Sequence, residues 1–249
     1  MEIEDNGERE SSDTKICGKK IKIYTEIGIK ELISAAFEYI RSQCLGSKIG
    51  DTCSAITSDS RSAITGGYRS AITSGDCSAI TSGDCSAITG GTRSAITGGT
   101  RSAITSGYRS AITSGGRSAI TGDTWSAITS GNFSAITGDY RSAITSGDFS
   151  AITGGTRSAI TGGYRSAITS GERSTLTGGD WSVIYGGKDA IVRGGLHSIL
   201  AIQYFENYEF KGIKFAEVDG EIIKANVFYK LNDKGEFIED DSTTSKTDK

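Results

Sequence analysis

The sequence predicts an all-β protein: a two-sheet parallel β-solenoid with 16-residue coils, a small α/β N-terminal cap and a β C-terminal cap. Three observations lead there. Ser-Ala-Ile-Thr recurs every eight residues from Ser54 to Ser166 without an insertion, Ser174 and Ser182 open Ser-Thr-Leu-Thr and Ser-Val-Ile-Tyr in the same phase, and Ala190 and Ser198 keep it in degraded form. A repeat of that kind decides the architecture before any local reading. Each Ser-Ala-Ile-Thr is followed by a four-residue bridge rich in Gly, in a chain of 249 residues with 34 Gly and no Pro. Within the strand Ser and Ile share one face and Ala and Thr the other, because successive side chains alternate.

The Ile face must be internal, since a continuous exposed Ile ladder would make an aggregating sheet. Ser and Ile therefore point inward, and Ala and Thr outward. Eight residues are too few to close a coil around a packed core. Two octads, giving two strands face to face, are enough. Nineteen octads from Ser54 to about Phe205 make nine or ten coils, about 45 Å of stack at the ~4.8 Å spacing of paired strands. The buried Ser hydroxyls need partners, which the Ser or backbone of the adjacent coil can supply. Gly in the bridges is expected to supply positive φ.

Five segments follow in order: a mobile N-terminus (1–14), an N-terminal cap (15–50), the solenoid (51–201), a C-terminal β cap (202–239) and a disordered tail (240–249). In the cap, Lys19–Tyr24 alternates as a strand. Ile29–Cys44 places Leu32, Ile33, Ala36, Phe37, Ile40 and Cys44 at helical spacing. A cap is needed because a solenoid end exposes unpaired strand groups and its core. Past Thr177 the repeat decays. Ser198–Phe205 and Phe210–Val218 read as strands, Asp219-Gly220 as a hairpin turn, and Ile222–Leu231 and Glu236–Ile238 as the last strands.

Residues sixteen apart share an edge. One edge carries Arg61, Cys77, Arg93, Arg109, Trp125, Arg141, Arg157 and Arg173. The other carries Cys53, Arg69, Cys85, Arg101, Arg117, Phe133, Phe149, Arg165 and Trp181. Both are Arg ladders interrupted by aromatics, which allows cation–π contacts between coils. Asp76, Asp84, Asp148, Glu172 and Asp180 precede the slot and offset some charge. A solvated edge is the bland reading and a docking surface the sharp one, because Arg and aromatics dominate interface anchors. The chain uses Arg in this slot and never Lys, although both caps are rich in Lys. That favours a planar, forked donor. The candidate interaction edge is Arg93, Arg109, Trp125, Arg141, Arg157 and Arg173; Arg69, Arg101, Arg117, Phe133, Phe149, Arg165 and Trp181 form the second.

A formal charge of −3 argues against a nucleic-acid partner, which needs a basic footprint. No apolar run reaches membrane-spanning length. The polar, acidic opening carries no secretory pattern, so a cytoplasmic protein with free thiols is expected. Cys53 and Cys85 share an edge with Arg69 between them, and Cys77 lies on the opposite edge. The single His, His197, is far along the chain from these cysteines, so no metal site is expected. No catalytic residues, phosphate loop or cofactor motif are found, and the chain reads as a non-enzyme.

The octads resemble the repeats of bacterial ice-nucleation proteins: Gly67-Tyr68-Arg69-Ser70-Ala71-Ile72-Thr73 and Gly171-Glu172-Arg173-Ser174-Thr175-Leu176-Thr177 follow their pattern. The Arg-bearing octads are similar to that family's C-terminal arginine coils, which implies self-association. Val218-Asp219-Gly220-Glu221, Phe228-Tyr229-Lys230-Leu231 and Gly235-Glu236-Phe237 resemble the C-terminal cap of short phage and bacterial octad-repeat proteins. The family's ice-active face is a Thr-x-Thr array. Here only Thr175-x-Thr177 keeps both Thr, which ranks ice binding last. Two functional readings stand ahead of it: a self-associating scaffold pairing copies of this chain through its Arg/aromatic edges, and a phage- or bacterium-encoded module that engages a host protein.

Overall fold

The computed structural model describes residues 2–4, 20–22 and 47–241. The chain falls into two units, Met1–Cys44 and Leu45–Lys249. In the first, β1 (Glu2–Glu4) pairs antiparallel with β2 (Lys20–Lys22). The latter sits inside the expected Lys19–Tyr24 strand. The former lies in the stretch read as a mobile terminus. The helix expected over Ile29–Cys44 and the tail beyond Asp241 lie outside the described residues.

The second unit is a parallel β-solenoid with two strands per 16-residue coil. It starts at β3 (Ser47–Ile49), somewhat before the expected boundary. From β4 (Ala55–Ser58) to β21 (Ile191–Arg193) and β22 (Ile199–Glu206), successive strands alternate between two sheets. The ten even-numbered strands from β4 to β22 build most of an 11-stranded sheet, and the ten odd-numbered strands from β3 to β21 most of a 12-stranded one; the last strands of the chain complete both. Pairing is in register at sixteen residues: Ile104 lies between Ile88 and Ile120, and Ile112 between Ile96 and Ile128.

Burial follows the alternation. Every repeat Ile from Ile64 to Ile168 is at most 2% exposed, while the Ala and Thr of the same strands face outward. The Ser that opens each octad is also buried, and its polar groups are used. Ser118 N–H donates to Ser134 Oγ of the next coil (3.4 Å), and Ser118 Oγ–H donates to Gly115 O at the start of its own turn (3.0 Å). The same stitch joins Ser62 to Ser78, Ser94 to Ser110 and Ser166 to Ser182. At Ser58, Ser114, Ser130 and Ser146, which open their bridges, the hydroxyl reaches the octad Ser, as in Ser130 Oγ to Ser134 Oγ (2.7 Å). Among the described residues the hydroxyls of Ser74, Ser102, Ser106 and Ser126 find no partner.

The bridges differ from expectation in one respect. Their glycines do not carry positive φ; the last bridge residue does, and it is never Gly. Glycine at the second bridge position is needed for close approach instead. A Cβ on Gly179 would stand 2.9 Å from the Gly163 carbonyl carbon and from Tyr164 N in the coil before it.

The last coil is closed by a sheet that turns back. The strand β23 (Glu209–Glu217) pairs antiparallel with β22 through a tight turn at Asn207 and Tyr208, both at positive φ (49° and 65°). Val218 then exchanges backbone hydrogen bonds with His197 and Ser198. Asp219-Gly220 is not a hairpin turn. The Asp219 carboxylate accepts the N–H groups of Glu221, Ile222 and Ile223 at 2.9 to 3.0 Å. Those bonds, the Glu221 N–H foremost, hold its pKa below the usual carboxylate value. This turn launches an irregular crossing to the other sheet. There β24 (Tyr229–Leu231) pairs antiparallel with β21 and with β25 (Phe237–Glu239). The Ile222–Leu231 strand is thus only three residues long, because residues 219–228 are spent on the crossing.

A core one Ile deep from each sheet tolerates no charge. Ile120→Asp should abolish cooperative folding or leave the protein insoluble, whereas Ile120→Val should cost only ~0.5–1.5 kcal/mol. Thermal melts of the two variants would check this, and a native melting curve for the Asp variant would contradict the packing.

Candidate interaction edges

Every eighth residue from Cys53 to His197 sits at a φ of 51° to 61°. From Cys53 to Trp181 each such residue donates its N–H to the third bridge residue of the next coil, as in Arg93 N–H to Tyr108 O (2.8 Å) and Arg117 N–H to Asn132 O (2.8 Å). The left-handed conformation is thereby tied to the stacking of the coils. It also holds ten Arg, two Trp, two Phe and three Cys in two columns, at a strain of about 1–2 kcal/mol per non-Gly residue.

On the Arg93 edge the side chains interlock around one indole. Trp125 lies between Arg109 and Arg141, whose Cζ atoms are 5.8 and 4.6 Å from a Trp ring centroid. Arg109 also rests on Tyr108 (5.1 Å) and Arg141 on Tyr140 (5.2 Å). Arg157 donates from a terminal nitrogen to the Tyr140 hydroxyl (3.0 Å). Arg173 Nε lies 3.7 Å from the Asp189 carboxylate, both well exposed, so this pair contributes little to stability. Arg93 has no ring or ion-pair partner among the described residues.

The Arg101 edge is more aromatic. The rings of Phe133 and Phe149 stack at 5.0 Å and 4°, and Tyr164 meets Phe149 edge-on at 5.6 Å. Arg117 Cζ lies 5.7 Å from the Phe133 centroid, and Arg69 and Arg165 rest on Tyr68 and Tyr164, each at 5.0 Å. Trp181 packs on His197 (4.6 Å). The two columns therefore hold the predicted residues together as ladders. Sequence reasoning missed the tyrosines as partners, though the signal was present: Tyr68, Tyr108, Tyr140 and Tyr164 are each followed directly by Arg.

The acids of the bridge have a structural task besides the charge offset expected of them. Asp76, Asp84, Asp148 and Asp180 accept the N–H of the residue one coil on, at 2.7 to 2.9 Å, and Asn132 does the same for Asp148. They stitch backbone to backbone. Each such side chain lies over a glycine fifteen residues later. A Cβ on Gly99 would come within 2.1 Å of Asp84 Oδ1, and one on Gly163 within 2.2 Å of Asp148 Oδ1.

Cys53, Cys77 and Cys85 are free thiols. Among the described residues no group of three or more His, Cys, Asp or Glu could hold a metal ion, and no helix is long and apolar enough to cross a membrane. No family model, curated protein or solved structure matches the chain.

The strain and the packing at this slot can be separated. Arg93→Gly relieves a left-handed residue that packs on no ring, and should leave stability unchanged or raise it by up to ~1 kcal/mol after the entropy cost of Gly. Trp125→Gly removes the indole from between two guanidinium groups and should lower the melting midpoint. Equal shifts in thermal melts would show that the ring contacts contribute nothing.

Proposed function

We propose that the protein is a non-enzymatic scaffold that associates with further copies of itself through the Arg93 edge. The observation that carries this is the left-handed slot. It is the one bridge position with a left-handed φ, which favours glycine, and the chain, otherwise rich in bridge glycines, places Arg, aromatic or Cys there instead. Strain retained at a recurring position points to a use for the side chain. On the Arg93 edge two of these side chains, Arg109 and Arg141, are guanidinium groups supported by an indole and a phenol. Arg of this kind is an interface anchor able to bond carbonyls or carboxylates in pairs. The Arg octads' likeness to the arginine coils of ice-nucleation repeats supports the same reading. The exposed free thiols support a reducing, cytoplasmic setting.

Nothing specific to the Thr columns favours ice binding, since each strand presents one Thr beside one Ala. A host-directed binding module remains the competing outcome. The experiment is the triple change of Arg109, Arg141 and Arg157 to Lys, with mass in solution measured across salt. The native chain should be larger than a monomer at low salt and dissociate as salt screens the edge, and the Lys variant should be monomeric throughout. A native monomer that captures a different protein would favour the competing reading. Unchanged mass in the variant would show the edge to be merely solvated.

A further inference from the structure

The Arg101 edge contains a second feature that association does not use. At the third bridge position the column of side chains runs through Thr100, Gly116 and Asn132. Gly116 is the only glycine at that position in the repeat, and it lies in the wall of a notch of about 310 Å³ lined by Thr100, Arg101, Gly116, Arg117, Asn132 and Phe133.

Most guanidinium groups of the other edge are occupied: Arg109, Arg141, Arg157 and Arg173 are each engaged by a ring, a phenol or a carboxylate. In the notch, Arg101, like Arg93 on that edge, has no ring or ion-pair partner among the described residues. Arg117 is held from one side by Phe133, which is itself backed by Phe149. The nearest acids along this edge, Asp84 and Asp148, are turned to the backbone N–H groups of Thr100 and Tyr164. Asn132 Oδ1 is fixed on the N–H of Asp148 (2.9 Å), which leaves its Nδ2 hydrogens as donors in the notch wall. Five third-position side chains, those of Asp76, Asp84, Asn132, Asp148 and Asp180, sit over the next coil's glycine and accept a backbone N–H. Gly116 has no side chain with which to do this. Two Arg one coil apart and a side-chain amide with donors to spare thus line one concavity whose lining contains no carboxylate.

We propose that this notch binds a tetrahedral dianion, a phosphate group. Its two negative charges match the two guanidinium groups, and its several acceptor oxygens suit donors arriving from two coils, where a single carboxylate would leave one Arg unmatched. The free ion and a phosphorylated side chain share this chemistry. The site lies on the opposite edge from the one assigned to association, so either reading can fail without the other.

The test is calorimetric titration of the full chain at low ionic strength with inorganic phosphate, a short phosphoserine peptide and acetate. Phosphate or the peptide should bind saturably at one site per chain and acetate much more weakly. Tighter binding of the peptide would identify a phosphorylated chain as the source, and equal or tighter binding of the ion would identify free phosphate. Arg101→Gln and Arg117→Gln should each weaken binding by roughly tenfold or more. Asn132→Asp is the structural control. Asp performs the same backbone stitch at position 84, so this variant should keep the native melting midpoint while losing phosphate. The proposal is overturned if no binding saturates, if acetate binds as well as phosphate, or if all three variants bind like the native chain.

Discussion

Everything in the solenoid depends on Ile meeting Ile sixteen residues away. The core is only as deep as two facing side chains, so each coil has few internal contacts and gains most of its apolar burial from the coils above and below. That dependence fixes the period. A single inserted residue would send every later Ile to the solvent face, and none is inserted between Ser54 and Ser182. It also explains the buried Ser. A position beside the Ile too narrow for a large side chain is filled by a small one whose hydroxyl bonds along the stack. The polar ladder then reinforces the register that the apolar ladder sets.

The turns obey the same constraint. To return the chain to the opposite sheet within four residues and still hydrogen-bond the next coil, the last bridge residue adopts the left-handed conformation and donates its N–H along the stack. The second bridge residue passes so near the coil before it that a Cβ does not fit at most positions. Exceptions are ordered. Asp123 and Asp139 occupy that position where the residue fifteen earlier, Tyr108 or Thr124, does not lay a carboxylate across it. Acid at the third bridge position and glycine fifteen residues on form a single device, spread over two coils.

Much of this was legible in the sequence. The period and the alternation give the sheets, the inward faces, the register and the composition of both edges, because all of these follow from counting residues. The φ assignment was not legible. Glycine is the usual bearer of positive φ, and only the coordinates show that the Arg slot holds the turn while the glycines relieve crowding. Asp219-Gly220 misled for a similar reason. Its hairpin signature is local, but the carboxylate is captured by three successive N–H groups and sends the chain across to the other sheet. The turn joining β22 to β23 uses Asn207 and Tyr208, where the sequence offers Asn without Gly. In the edges, the Arg and aromatic columns could be counted directly. That Tyr68, Tyr108, Tyr140 and Tyr164 each lie beneath the Arg that follows depended on side-chain direction, which spacing alone does not give.

The distribution of variety also says where recognition must reside. The two flat faces repeat Ala and Thr with almost no change from Ala55 to Thr169. A partner docking there would find the same surface in every coil and could bind in many registers. The bridges alone differ from coil to coil: Trp125 once on one edge, Phe133 and Phe149 together on the other, Gly116 once, acids at scattered heights. A partner that selects one position along the stack can draw its information only from these residues. The Arg93 edge offers a cluster centred on Trp125 and the Arg101 edge the stacked Phe133 and Phe149, so each has a distinctive height. Association through the first would then be specific in register even though the frame that carries it is periodic, which follows from confining the variable residues to the turns.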